Sequence, residues 1–282
     1  MSRLIPFALI VLFSFNSCSQ VKKLQTPSTQ ADESGSTSFG YQPLDPLPVF
    51  FAKDSGGIPV ILLNDVSLSF DNKQIMHSLP DETMRLAIGQ VDNQGNISFG
   101  PAKIGYANSD YEVILDYMKF DTKAYQINIK KDSLNHITDF APIIYKTDTY
   151  TKPDASVPVY VGVGLRLTAT VHVNEGHVDL GNLFALGIAA ESKKINGTLI
   201  IQTLGITGES ISPLIPMPNQ INTTTIQNAI MALASIKAKM YEADAQIRPR
   251  ILGFYNNLGG GQSTVYKFIS DVQQVGITHL VK

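Results

Sequence analysis

VPVYVGVGLRLTATVHV, residues 157–173, alternates without a break. The odd positions are all apolar: Val157, Val159, Val161, Val163, Leu165, Leu167, Ala169, Val171 and Val173. The even positions are Pro158, Tyr160, Gly162, Gly164, Arg166, Thr168, Thr170 and His172. Period-2 alternation predicts a strand with one face in a core and a wetter second face. An ordinary strand runs about 5–6 residues. At roughly 3.3 Å per residue this one would cross a whole domain. Gly162 and Gly164 permit a bend, and Arg166 needs a carboxylate partner wherever neighbouring elements bury it.

Downstream, Asn174-Glu175-Gly176 ends the strand. The next segment, residues 178–194, has two readings. Val178, Leu180, Phe184, Leu186 and Ile188 alternate as a hairpin partner would. Leu180, Leu183, Phe184, Gly187 and Ile188 also fit helical spacing, with Asp179 as a cap and Lys193-Lys194 near the end. The helix is the preferred reading. Thr198–Thr207 is then a return strand, and Pro213, Pro216 and Pro218 make the following loop non-helical. Thr224 with Gln227 reads as a capping box. Behind it, Ile226, Ala229, Ile230, Leu233, Ile236 and Met240 form a helical stripe. Ile251–Tyr255 reads as a strand, and Val265, Phe268, Ile269 and Val272 mark a terminal helix.

Upstream, residues 48–150 read as mainly β. Apolar runs flank Lys53-Asp54-Ser55-Gly56-Gly57, and Met84–Val91 and Ile97–Phe99 flank Asp92-Asn93-Gln94-Gly95-Asn96. Tyr111–Phe120 and Ala124–Ile129 suggest a further pair joined at Asp121-Thr122-Lys123. The expected class is α+β: an antiparallel β-rich half, 48–150, followed by a mixed α/β half, 151–282, with a long bent strand, the two packed as one body.

The N-terminus reads as an address. Arg3 precedes an apolar run from Leu4 to Phe15, too short to span a bilayer and right for a secretory signal. Cys18 is the only cysteine in 282 residues, so an exported chain of this sequence forms no internal disulfide. Phe15-Asn16-Ser17-Cys18 resembles the lipobox of bacterial lipoproteins, in the loose form of Bacteroidetes, with Phe15 and Asn16 in place of the commoner Leu and small residue. The resemblance implies that residues 1–17 are removed, that Cys18 carries the acyl chains, palmitate among them, and that the protein is held at the outer membrane. Residues 18–47, rich in Ser, Thr, Gln, Gly and Pro, then read as a lipidated flexible tether.

Chemistry is sparse. The formal net charge of −2, which becomes −3 once Arg3 is removed with the signal, gives no basic footprint for nucleic acid. His172, Glu175, His177 and Asp179 are the one His/carboxylate grouping, and across a hairpin they would offer a ligand or zinc site. A wet strand end explains the same residues. Gly259-Gly260-Gly261 before a helix offers backbone N–H groups to an anion, without the Lys-Ser/Thr of a P-loop. A flexible loop ahead of a Ser/Thr cap explains these glycines equally. No G-x-S-x-G, H-E-x-x-H or EF-hand pattern is present, so the reading leans away from an enzyme and calls for no cofactor.

The order of elements over Val157–Tyr255, long strand, helical segment, return strand, helix, strand, resembles the core of cholesterol-dependent cytolysins and perforin-like proteins. It departs in the connecting segment, which is too short for a spanning hairpin of about 9–11 residues per strand. Two functions therefore stand: a lipid-anchored envelope protein with a binding or structural role, and, as the alternative, a pore-forming protein. Cys18→Ala is expected to leave the chain uncleaved and without lipid; an intact mass showing a mature N-terminus beyond Cys18 and no acyl mass would refute the anchor.

Overall fold

The structure is a computed structural model that describes residues 40–48, 50–53, 59–62, 71–100, 103–135, 137–142, 152–186, 189–258, 265, 267–270 and 280–281. In chain order the strands are β1 (Gly40–Pro48), β2 (Phe50–Lys53), β3 (Pro59–Leu62), β4 (Asp81–Val91), β5 (Ile97–Gly100), β6 (Ile104–Tyr106), β7 (Ser109–Lys131), β8 (Ile137–Pro142) and β9 (Ala155–Val173). They continue with β10 (His177–Asp179), β11 (Ile195–Leu204), β12 (Ile206–Thr207), β13 (Asn219–Gln220), β14 (Gln246–Ile247), β15 (Arg250–Asn256) and β16 (Leu280–Val281). The helices are α1 (Asn72–His77), α2 (Leu180–Leu186) and α3 (Thr223–Lys239), with 3₁₀ turns at Ala189–Lys194 and Ser212–Leu214 and a helical turn at 267–270.

The fold is mostly β, which corrects the α+β expectation. The alternating segment is β9, and it pairs antiparallel with β7 over its whole length, from Ser109↔Val173 to Ile127↔Ala155. Its other edge is shared: β15 takes residues 159–162 and β11 takes 164–173. β7 likewise pairs with β4 along its first half and with β8 and β16 along its second. One antiparallel sheet thus draws strands from both halves of the chain. The strands assigned to a separate α/β half are members of it, and the helices only cover one face.

That face is the odd one. The nine odd side chains from Val157 to Val173 are fully buried, against Ile226, Ala229, Leu233 and Ile236 of α3, Leu183 and Phe184 of α2, and Phe268. Full burial of one Val or Leu is worth about 1.5–3 kcal/mol, so this row alone is a large share of the core's stabilisation. The even face is covered only toward the start of β9. There β15 and β1 curl across the sheet until β1 approaches β4, giving a nearly closed barrel. Met118, Phe120, Tyr160, Leu204 and Leu252 fill it. The bend depends on Gly162 and Gly164: a β-carbon on either would overlap a main-chain carbonyl of β7, that of Lys119 or Tyr117.

Several local expectations change for physical reasons. Asp121-Thr122-Lys123 has turn chemistry but lies inside one 23-residue strand, because β9 pairs straight through it and Asp121 bonds Lys123 on the same face. Gly40–Leu47, part of the composition-defined tether, lies in β1, held by pairing to β15 and by burial of Leu44. The segment after β9 is both things in turn: Val178 sits in β10, which pairs with β6, and a seven-residue α2 follows before the 3₁₀ turn. The long helix is capped two residues earlier than Thr224 and Gln227 suggest. Asn222 accepts from the Thr225 N–H, and Thr225 Oγ1 accepts from the Asn222 N–H. Cys18 and Gly259–Gly261 lie outside the described residues. Among the described residues no helix is long and apolar enough to cross a membrane.

Leu233→Ala is expected to cost about 2–5 kcal/mol by emptying part of the odd-face core. Met231→Ala, on the solvent side of the same helix at 67% exposure, is expected to change stability by no more than about 0.5 kcal/mol. Chemical denaturation of the two variants checks the packing of α3, since equal costs would mean the opposite face is buried.

Candidate functional site

Two polar arrangements stand out, and they lie on opposite faces of β7. The first is buried. Asp116 interrupts the apolar run Val113-Ile114-Leu115 and faces Arg166 across the β7–β9 register. Arg166 donates from Nε to Asp116 Oδ1 at 2.7 Å and from Nη2 to Oδ2 at 2.6 Å. It also donates to the main-chain carbonyls of Leu44 at 2.8 Å and Leu252 at 3.2 Å. Tyr41 donates its hydroxyl to Asp116. Burial, and then the neighbouring Asp116 charge, push the Tyr41 phenol well above its usual range. Asp116 is the acid that a buried Arg166 requires. The group bonds four strands together and leaves no reactive atom exposed, so its role is architectural. Glu112, further along the same face, has its carboxyl raised by burial and by Asp45, with Arg166 acting in the opposite sense.

The second arrangement is open. Asp71 caps α1 by accepting from the Gln74 N–H at 2.8 Å, and Gln74 accepts in return from the Asp71 N–H. The Asn72 side chain fastens this short helix to the chain beyond α3. Its Nδ2 donates to the Ala245 carbonyl and its Oδ1 accepts from the Ile247 N–H at 3.3 Å. A groove of about 660 Å³ remains between α1, the end of α3 and Lys119 of β7. Met76 and Met240, both buried, line it together with Tyr241 and Ala243, and Asp71, Lys73, His77, Lys119 and Glu242 supply its polar groups. Beside it, Lys237 bonds Glu82 and sits 4.5 Å from the centre of the Tyr117 ring. Glu82 is held below the usual carboxylate range chiefly by that Lys237 bond. Lys237, though half-exposed, is therefore engaged by both a carboxylate and an aromatic ring.

The residues singled out from sequence do not gather in the groove. His172 bonds Asp110 of β7 at 2.8 Å, and His177 stacks edge-on against Tyr106 of β6 at 5.1 Å. Asp179 accepts from the Asn182 N–H at 2.8 Å at the start of α2, and Glu175 is exposed in the turn after β9. The separation arises because β10 leaves the line of β9 to pair with β6. Among the described residues, no three His, Cys, Asp or Glu side chains are placed to share a metal ion. No residue singled out from sequence lines the groove except Met240 of the α3 stripe, although Asp71-Asn72-Lys73-Gln74 carries a capping pattern that marks the start of α1.

Asp116→Ala is expected to cost about 3–5 kcal/mol, since it leaves a buried guanidinium without its counter-charge. Glu112→Gln is expected to act in the other direction. A raised folded-state pKa means the protonated carboxyl is favoured by the fold, so stability is present at acid pH and is lost as pH rises through that pKa. The Gln variant should therefore gain stability at pH 7 and nothing below pH 4, which denaturation at the two pH values reads directly.

Comparison of the chain with protein-family models, with curated proteins and with solved structures finds no match.

Proposed function

We propose that this is a lipid-anchored cell-envelope protein whose folded body is a binding module. The lipobox-like Phe15-Asn16-Ser17-Cys18 supports the anchor. The observation that carries the binding role is the groove beside α1: its volume lies in the range of about 300–1,000 Å³ usual for small-ligand sites, and its polar groups surround an apolar floor. It sits on rigid supports, with Met240 at the end of a packed helix and Lys119 on the longest strand. Nothing in it pairs a nucleophile with a base, so the reading is binding rather than turnover.

The pore-forming alternative needs the even face of β9 to turn toward water. Arg166 on that face is bound to Asp116 and to two main-chain carbonyls beneath β1 and β15. Opening the barrel would strand those charges, a cost of several kcal/mol. This weighs against the alternative.

A thermal-shift screen of small molecules tests the binding role. A ligand present at about 100 times its Kd should stabilise the body by about 2.7 kcal/mol. Ala243→Trp, which places an indole in the groove, should abolish the shift. Shifts that survive in Ala243→Trp, or a library that moves the wild type nowhere, would remove the groove as the binding site.

A further inference from the structure

Resting on the reading of the groove as a binding site, we infer that its occupant is a free single-chain amphiphile bearing one negative charge. The floor favours a flexible apolar chain. Met76 and Met240 are 8% and 1% exposed, and their unbranched thioethers adapt to irregular partners. Tyr241, 59% exposed, adds an aromatic face at the edge.

The charge around the floor selects the head group. Asp71 is engaged as the cap of α1. Glu242 accepts from Lys239 at 2.7 Å. Glu82 lies directly across the β4–β7 register from Lys119 but is bonded by Lys237. Every acid near the groove thus has a bonded partner within the fold. Lys73 and Lys119 have no acid in hydrogen-bond contact among the described residues. Asp244, next to the lining Ala243, accepts from the Ser210 N–H and lies near Lys239, so four cations (Lys73, Lys119, Lys237, Lys239) face four acids (Asp71, Glu82, Glu242, Asp244), and the two cations without a bonded acid are the lining residues Lys73 and Lys119. A charge-assisted bond from an ammonium to a carboxylate is roughly twice as strong as a neutral one. A carboxylate head between Lys73 and Lys119, with its chain along Met76 and Met240, satisfies both parts of the site. A cationic amphiphile would meet like charge, and a neutral one would leave the lysines without a counter-ion.

Calorimetric titration of the full chain carrying Cys18→Ser, which removes the acyl acceptor, tests this with dodecanoate, dodecanol and dodecylammonium, each below its micelle concentration. Dodecanoate should bind once per chain, at least tenfold tighter than dodecanol, with dodecylammonium weakest. Lys73→Glu changes an exposed side chain of α1, so folding is expected to be preserved, which circular dichroism of the variant checks. It should weaken dodecanoate at least tenfold and bring dodecylammonium level with it. Equal affinity for dodecanoate and dodecanol, an unchanged affinity in Lys73→Glu, or binding to anionic phospholipid vesicles without binding of the monomer would each overturn the inference. If dodecanoate fails while other ligands give thermal shifts that Ala243→Trp abolishes, the binding role stands and only the ligand class falls.

Discussion

The contact between Arg166 and Asp116 constrains this fold more than any other. A buried ion pair contributes little net stability, because desolvating both charges offsets most of their attraction. Its consequence is geometric. Arg166 has five donors in a rigid fork, and here they reach a carboxylate on β7 and carbonyls on β1 and β15. Those positions can be met together only if the sheet curls by one particular amount. Gly162 and Gly164 make the curl sterically possible, and Arg166 makes any other curl electrostatically costly.

On the opposite face the constraint is packing. The odd side chains of β9 present a uniform apolar row, and α3 lays its own stripe along it. A helix held this way has a fixed end. Met240 is pinned in the core, the chain turns at Tyr241–Asp244, and Asn72 bonds the main chain just beyond. The groove is the space between that fixed end and α1. Its width depends on one asparagine amide, which supplies both a donor and an acceptor to the same backbone segment.

Much of the sheet was legible because period-2 burial leaves a direct trace. β9, β11 and β15 are visible in sequence, as is the β4–β5 hairpin around Asp92–Asn96. What the sequence hid is pairing. Asp121-Thr122-Lys123 is a plausible turn until a partner strand runs past it, and Gly40–Pro48 resembles the linker before it until β15 offers an edge. The fold class followed from the same gap: strands and helices in alternation suggested α/β, whereas every pairing among the described residues is antiparallel and the long strands share one sheet. The groove was the least legible part. It is assembled from residues 71–77, 119 and 240–243, of which only the Asp71–Gln74 cap has a sequence signature, and the opposition of Glu82 and Lys119 exists only in the register.

The two faces are not independent. Asp116 and Tyr117 are neighbours on β7, and strand geometry sends their side chains to opposite sides. Asp116 enters the barrel, while Tyr117 lies under Lys237 and Lys119 borders the groove. Sliding β7 by one residue would exchange the two sets, placing a tyrosine before Arg166 and an aspartate among the apolar side chains of the core. The cost of leaving Arg166 unpaired thus holds the register of the strand, and with it the position of Lys119. A site that discriminates by charge needs its cation fixed relative to its apolar floor. Here the fixing is done through the backbone of one strand, by an ion pair that never touches the groove.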